Sequence, residues 1–472
     1  MIQTVTTLMN HQTDAVEKLK ESRVGALFME MGTGKSRTII ELACLKQEKI
    51  SKIVWACPVA LKTTVKYEIM KHTDTAPEQI YLFNSKSRAG KIPSVMWYIV
   101  GIESVSSSDR VAAALARLID RKTMVIVDES SYIKGAFAKR TTRITQYAQK
   151  ARYRYLLTGT PISQGIVDLY AQFRFLSPDI LGYHSFYGFA RNHLEYSDKY
   201  PGKIIRSHNI SYLTSKIEPY VFQVTKEECF DLPKKSYDIA VCDMTKEQNH
   251  AYDMAKEYYF LRILSRRRTG FGDDILALFN ALQQIASGFW NRHEESGFVL
   301  YEYPQERLDT LKAVINEIPE DQKIIIWAKY HYEIDGILKM ISSNELGEYA
   351  VFDGRVSQKK RNAELEKFRT SARFFVSTQS CGSHGLTLNE SAHTIFYSNT
   401  FKYSERLQAE DRNHRYGQTR KVLYIDVYPE CGIEGRIQDA LNRKKDAVEE
   451  FKQSLTEVKD DSDAMRKLIM EL

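Results

Sequence analysis

From residue 24 onward the chain repeats one alternation: a short, unbroken apolar run, then a stretch whose apolar residues recur at helical spacing. The runs are residues 24–29, 52–56, 95–100, 124–127 and 153–157, and 36–45 is typical of the stretches between them. Runs that are apolar throughout, rather than at every second position, predict strands buried on both faces. Strands separated by helix-length segments predict a parallel sheet covered by helices. The alternation returns near residue 320, with runs at 323–327, 349–352, 373–377, 393–398 and 422–427. Residues 176–310 interrupt it. They are rich in Tyr, Phe and charge, and predict long helices at 245–268 and 274–289 with a linker at 291–307. The expected plan is an α/β lobe at 1–175, a helical insertion and linker at 176–310, a second α/β lobe at 311–432 and a charged helical tail at 433–472.

Composition narrows this only a little. At 472 residues the chain exceeds one ordinary core, since a domain takes roughly 150 residues. Sixty-seven Lys and Arg against 60 Asp and Glu give a formal charge of +7. That surplus suits a nucleic-acid partner and suits an ordinary enzyme equally. No two of the six cysteines stand at a C-x-x-C spacing, which argues against a zinc site or a redox pair. No uncharged apolar run approaches the roughly 18 residues of a membrane span, and the N-terminus lacks a signal-peptide core. The expectation is a soluble protein without a membrane partner. It would work in the cytoplasm of a bacterium or a phage-infected host, or in the nucleus if eukaryotic.

Two motifs carry chemistry. The apolar run at 24–29 leads into Glu30-Met31-Gly32-Thr33-Gly34-Lys35-Ser36 and then a helix. Gly32 and Gly34 let the backbone turn tightly and approach a phosphate closely. The amides of the turn, Thr33 included, and the helix N-terminus then face the anion. Lys35 supplies a charge for the β- and γ-phosphates, and Ser36 a hydroxyl for Mg²⁺. Met29 occupies the first glycine position of the full G-x-x-x-x-G-K-[ST] pattern. Downstream, the run at 124–127 ends in Asp128-Glu129-Ser130-Ser131. An Asp at a strand's carboxyl end can hold Mg²⁺, and the adjacent Glu can orient or deprotonate the attacking water. Alone, such a pair is usually a solvated turn or a cap. Paired with the phosphate loop it predicts hydrolysis of ATP or GTP.

Further blocks follow in a fixed order. Leu157-Thr158-Gly159-Thr160-Pro161 closes a run in the first lobe, and Gln408-Ala409-Glu410-Asp411-Arg412-Asn413-His414-Arg415-Tyr416-Gly417-Gln418 lies in the second. The latter resembles the Q-A-x-D-R-x-H-R-x-G-Q motif of Swi/Snf-like superfamily-two ATPases, and the resemblance runs from His11-Gln12 to near Lys444. It implies two RecA-like lobes with parallel sheets, joined through a helical insertion, in a lean form like those of phages and bacteria. Gln12 matches the adenine-reading glutamine, Ser130-Ser131 stand where the family often has Ala-His, and Gly385 falls in a block usually written G-L-N-L, with Thr387 in place of Asn. ATP would bind with Lys35, Ser36, Asp128 and Glu129 on one wall, and Arg412 and Arg415 would act as arginine fingers from the other. Thr158 and Gln408 would couple nucleotide to nucleic acid. Lys62 and Lys134 are candidate phosphate contacts, and Arg266-Arg267-Arg268 could touch a duplex from the insertion.

The leading expectation is an ATP- and Mg²⁺-dependent motor that translocates on double-stranded DNA, ahead of RNA or single strands. A strand-separating helicase and a nucleotide-gated binding module are the alternatives.

Overall fold

The computed structural model of the protein describes residues 2–162, 165–197, 204–267, 270–294, 297–382 and 386–472. The chain folds as two compact units, Met1–Asp231 and Leu232–Leu472. The stretch 176–310 is therefore shared between them.

In the first unit, seven parallel strands stand in the order Ile80–Leu82, Trp97–Gly101, Lys52–Cys57, Thr123–Asp128, Tyr153–Leu157, Val24–Met29, Val221–Val224. The strands lack a polar face because both faces are buried. Ala26, Phe28, Val54, Val125 and Val127 feed one core, and their neighbours Leu27, Met29, Ile53, Met124 and Ile126 feed the other. The strands with both chemical motifs are interior, so their carboxyl ends are held from two sides. Residues beyond 176 stay with this unit. Helices Pro178–Leu181, Phe186–His193 and Ile210–Ile217 lead to Val221–Val224, which returns to pair beside Val24–Met29.

In the second unit, six parallel strands stand in the order Lys235–Cys242, Val422–Pro429, His393–Phe396, Ile324–Ala328, Phe374–Thr378, Tyr349–Phe352. The strand Lys235–Cys242 lacked a clear sequence signal. It is an edge strand, with Tyr237, Ile239 and Val241 exposed where an interior strand would bury them. The helices Lys246–Arg266 and Gly272–Ala286 follow it.

Two stretches carry more structure than expected. In the stretch expected as a linker, 291–307, Phe289–Glu294 and Gly297–Glu302 form an antiparallel hairpin with Trp290 opposite Tyr301 and His293 opposite Phe298. Its period-two pattern is disguised by Asn291, Arg292 and His293 on a solvated ribbon. The residues beyond 433 are more than a charged tail. Helices Gly432–Asn442, Ala447–Glu457 and Ser462–Met470 bury Ile433, Ile437, Phe451, Leu455, Met465 and Ile469 against the helical pair 246–286. Each is amphipathic, and charge on the outer face hid the stripe.

Among the described residues, no helix is long and apolar enough to cross a membrane.

Candidate functional site

The candidate phosphate loop is built by backbone geometry. Strand Val24–Met29 ends, the chain turns through Glu30 to Gly34, and helix Lys35–Leu45 begins. Gly32 and Gly34 have φ of 83° and 86°, a region that costs other residues roughly 1–2 kcal/mol. Thr33 closes the turn, its N–H and Oγ1–H both donating to the Glu30 carbonyl at 3.3 and 2.7 Å. Lys35 Nζ donates to the carbonyls of Met29 (2.9 Å) and Glu30 (3.3 Å), so the ammonium lies across the mouth of the turn. Helix Asn10–Leu19 braces the loop from outside. Gln12 Nε2 donates to the Thr33 carbonyl at 3.2 Å, and the His11 ring nitrogen lies 2.8 Å from the same oxygen. A Cβ at Gly34 would stand 2.1 Å from Gln12 Nε2, so the brace requires glycine there. Ser36 is half-buried in the first helical turn.

Asp128 ends the interior strand Thr123–Asp128 and is almost wholly buried. Trp55 Nε1 donates to one carboxylate oxygen at 3.3 Å, and the Glu129 N–H to the other at 3.0 Å. Burial pushes this carboxyl above the usual carboxylate range, against the opposing charge of Lys35. Glu129 follows in the left-handed region, φ 50° and ψ 61°, a strain of about 1–3 kcal/mol. Backbone strain of this kind clusters at sites where side-chain aim matters more than local stability. Thr158 is fully buried. Its N–H donates to the Leu27 carbonyl at 3.2 Å and its Oγ1 accepts from the Thr160 N–H at 3.1 Å. A Cβ on Gly159 would lie 3.2 Å from the Met31 side chain, so the turn at 158–161 rests on the phosphate loop.

The two lysines considered for nucleic acid have partners of their own. Lys62 Nζ donates to the Phe83 carbonyl at 2.8 Å, and Lys134 pairs with buried Asp168 at 3.8 Å. Arg266 pairs with Asp274 at 3.3 Å, and Arg268 lies outside the described residues.

In the second unit, helix Tyr403–Glu410 and the turn after it carry the arginine motif. Arg412 Nε donates to the Gln408 carbonyl at 2.8 Å and its Nη1 to the Leu386 carbonyl at 3.2 Å. Arg415 Nη1 donates to the same Leu386 carbonyl at 2.9 Å. Both guanidinium groups are thus gathered on the segment that follows Gly385, which itself lies outside the described residues.

The rest of the motif is scaffold. Asn413 Nδ2 donates to Thr394 Oγ1 (3.0 Å) and Gln418 Nε2 to the Ser391 carbonyl (3.1 Å), knitting the turn to the sheet. Beneath it Arg406 binds Asp426 in a two-pronged pair at 2.5 and 3.0 Å, and reaches Glu410 at 3.0 Å. Glu410 also accepts from Lys235 and Tyr237, each at 3.0 Å. Burial opposes ionisation of Glu410, yet Arg406 and Lys235 hold it below the ordinary carboxylate range.

Sequence reading missed Arg406, Asp426 and Trp55, and gave His11 no role of its own. Arg406 stands two residues before Gln408 on the same helix. Only tertiary contact reveals its buried partners.

Against proteins already known, residues 9–288 match the SNF2-related domain and residues 306–417 the helicase conserved C-terminal domain. An uncharacterized ATP-dependent helicase of Mycoplasma genitalium is 24% identical over 460 residues, which is 94% of this chain and 42% of the relative. The human DNA annealing helicase and endonuclease ZRANB3 is 23% identical over 433 residues, 88% of this chain and 37% of that protein. The chain thus spans about two fifths of the length of such curated relatives. Among solved structures, the Hef helicase domain of Pyrococcus furiosus superposes with a TM-score of 0.54 at 13% identity, covering 92% of this chain and 98% of that one, a likeness of fold. Because the SNF2-related match alone takes in more than half of the 472 residues, and the helicase C-terminal match extends it through the arginine motif, the chain belongs to the SNF2-related family of ATP-dependent helicase and translocase ATPases.

Proposed function

We propose that the chain is a motor that hydrolyses ATP to translocate along double-stranded DNA without parting its strands. One observation carries the chemical half: a phosphate loop, with Lys35 across it, shares the first unit with a buried Asp128 and a strained Glu129. Lys35 exchanges its two carbonyl partners for phosphate oxygens when nucleotide enters. Glu129 orients the attacking water, and Gln12 reads adenine.

The donor set suits Mg²⁺. Asp128 and Ser36 are hard oxygen donors, and the nearly buried Asp128 carboxylate accepts its hydrogen bonds from two neutral donors, Trp55 Nε1 and the Glu129 N–H. Bound there, Mg²⁺ would neutralise charge on the β- and γ-phosphates. Arg412 and Arg415 act as arginine fingers on the γ-phosphoryl group, and Thr158 and Gln408 couple nucleotide to nucleic acid.

Duplex DNA is favoured by the SNF2-related match together with the Swi/Snf-like arginine motif. Grip through phosphates makes the ATPase depend on duplex DNA but little on its sequence, and weaken steeply as salt rises.

The test pairs two substrates under the same ATP, with Lys35→Ala as the blank, since losing that charge removes hydrolysis. One substrate carries a third strand in the major groove, which a moving translocase displaces. The other is a fork, which only a helicase opens. Triplex displacement with an intact fork is expected. Fork opening without triplex displacement would establish the helicase reading instead. Nucleotide-dependent DNA binding without turnover would leave a nucleotide-gated module.

A further inference from the structure

The acidic pair and the Thr158–Pro161 turn are tied together by a side chain that belongs to neither motif. Gln172 lies on helix Val167–Leu176 and is fully buried. Its Oε1 accepts from the Ser130 hydroxyl at 2.5 Å. Its Nε2 donates to the Pro161 carbonyl at 2.8 Å and to the Asp168 carbonyl at 2.9 Å. Both amide protons and the oxygen are thereby used, so the group is satisfied in a place where an unpaired amide would be costly. Ser130 is also fully buried and directly follows Glu129, whose backbone is held at φ 50°. A strained residue keeps its conformation only if its neighbours fix it. The Ser130–Gln172 bond does that on one side, and the Glu129 N–H to Asp128 does it on the other. The same amide grips the end of the turn whose Thr158 N–H is bonded to the strand leading into the phosphate loop. Lys134, four residues past Ser130, pairs with Asp168 and ties the same two segments a second time.

We infer that Gln172 is a positioning residue for ATP hydrolysis. It locks the backbone that aims Glu129 to the turn carrying Thr158, so that the two move as one piece when nucleotide is bound or released. This role rests on the ATPase reading of Glu129 and Thr158. Where the family has D-E-A-H, the position of Ser130 carries no hydroxyl to donate.

The experiment compares wild type, Ser130→Ala, Gln172→Leu and the double variant in steady-state ATPase with saturating duplex DNA. Thermal unfolding and binding of a fluorescent ATP analogue are measured on each. Leu fills much of the volume of Gln but makes none of its bonds. Both single variants should lose roughly 10- to 100-fold in kcat, the scale of a misplaced catalytic group, with KM for ATP within about twofold of wild type. The double variant should be no slower than the slower single, because both substitutions cut one link. A residue that merely fills the core would lower the melting temperature without this split or this non-additivity. Full rates in either single variant, or additive losses, would overturn the role. If Gln172→Leu does not fold, Ser130→Ala, a smaller deletion, decides by its kcat alone. A wild-type chain without ATPase activity would overturn the functional reading itself, an outcome separate from failure of the Gln172 link.

Discussion

The two places where we propose that this chain puts positive charge for a phosphate are built on opposite principles. In the first unit the scaffold is backbone: two glycines with φ near 85°, a turn closed by Thr33, and Lys35 resting on two carbonyls. In the second unit the scaffold is ionic. Arg406, Asp426 and Glu410 form a buried ion network that Lys235 joins from its edge, and Arg412 and Arg415, just past the helix Tyr403–Glu410, both donate to the Leu386 carbonyl. A backbone cradle can be laid down by local sequence and holds its shape before nucleotide arrives. A pair of long arginines must be aimed from a platform, and a buried ion network is rigid because each partner is costly to leave unpaired. So damage to the first region should be felt mainly in chemistry, whereas damage beneath the second should be felt in stability.

The largest expected effect separates the arginines from the platform. Arg412→Ala and Arg415→Ala should each lower kcat by about 10³–10⁵, as loss of an arginine finger does, because they act on transition-state charge. Binding of a fluorescent ATP analogue should change little, and the melting temperature should stay near wild type. Wild-type turnover in both variants would return these guanidinium groups to a structural role on the Leu386 segment.

The comparison also explains what the sequence could and could not disclose. The phosphate loop, the acidic pair and the interior strands were legible because each is local. A glycine turn needs its neighbours in sequence, and a strand buried on both faces is apolar at every position. The edge strand Lys235–Cys242 and the hairpin at 289–302 escaped because their apolar residues point partly to solvent and are interrupted by charge. Arg307 is a sharper case. It read as the end of a linker, yet it is buried, pairs with Glu434 at 3.3 Å and donates to the Val427 carbonyl at 2.8 Å. A lone Arg in a charged stretch carries no mark of a partner 127 residues away. The same holds for Gln172 with Ser130 and for Arg406 with Asp426, partners 42 and 20 residues away.

Next in size is a test of the platform itself. Arg406→Met keeps much of the length and apolar stem but leaves Asp426 and Glu410 short of their main cation. Removing one member of a buried pair costs about 3–5 kcal/mol. The strand Val422–Pro429, which carries Asp426, should lose hydrogen-exchange protection, while Val24–Met29 keeps its own. The sign with pH follows from Glu410. A carboxyl held below its ordinary range in the folded state contributes stability above its unfolded value, and loses it as pH falls through the folded one. Wild type should therefore lose more stability on acidification than Arg406→Met does. Equal acid sensitivity in the two would show that Glu410 draws nothing from this pair.

The smallest effect tests whether the first region is truly backbone-built. Gly34→Ala places a Cβ where φ is 86° and where Gln12 Nε2 stands 2.1 Å away. The backbone term alone is roughly 1–2 kcal/mol, and the clash must be relieved by moving Gln12 off the Thr33 carbonyl, since the turn cannot shift without breaking its Thr33–Glu30 bonds. Two consequences follow that no ionic platform would show. First, the change should be as large at high salt as at low salt, because no charge is touched. Second, if Gln12 reads adenine, its displacement should lower the preference for ATP over GTP, measured as the ratio of kcat/KM values. The loss of about one hydrogen bond amounts to roughly three- to tenfold. Gln12→Ala serves as the reference. It should lower the same ratio by a similar factor without the backbone penalty, so the two variants should agree in nucleotide preference and differ in melting temperature. A Gly34→Ala chain that keeps its ATP preference while Gln12→Ala loses it would mean that the glutamine is held by helix Asn10–Leu19 alone, and that the loop's close approach to it serves packing rather than recognition.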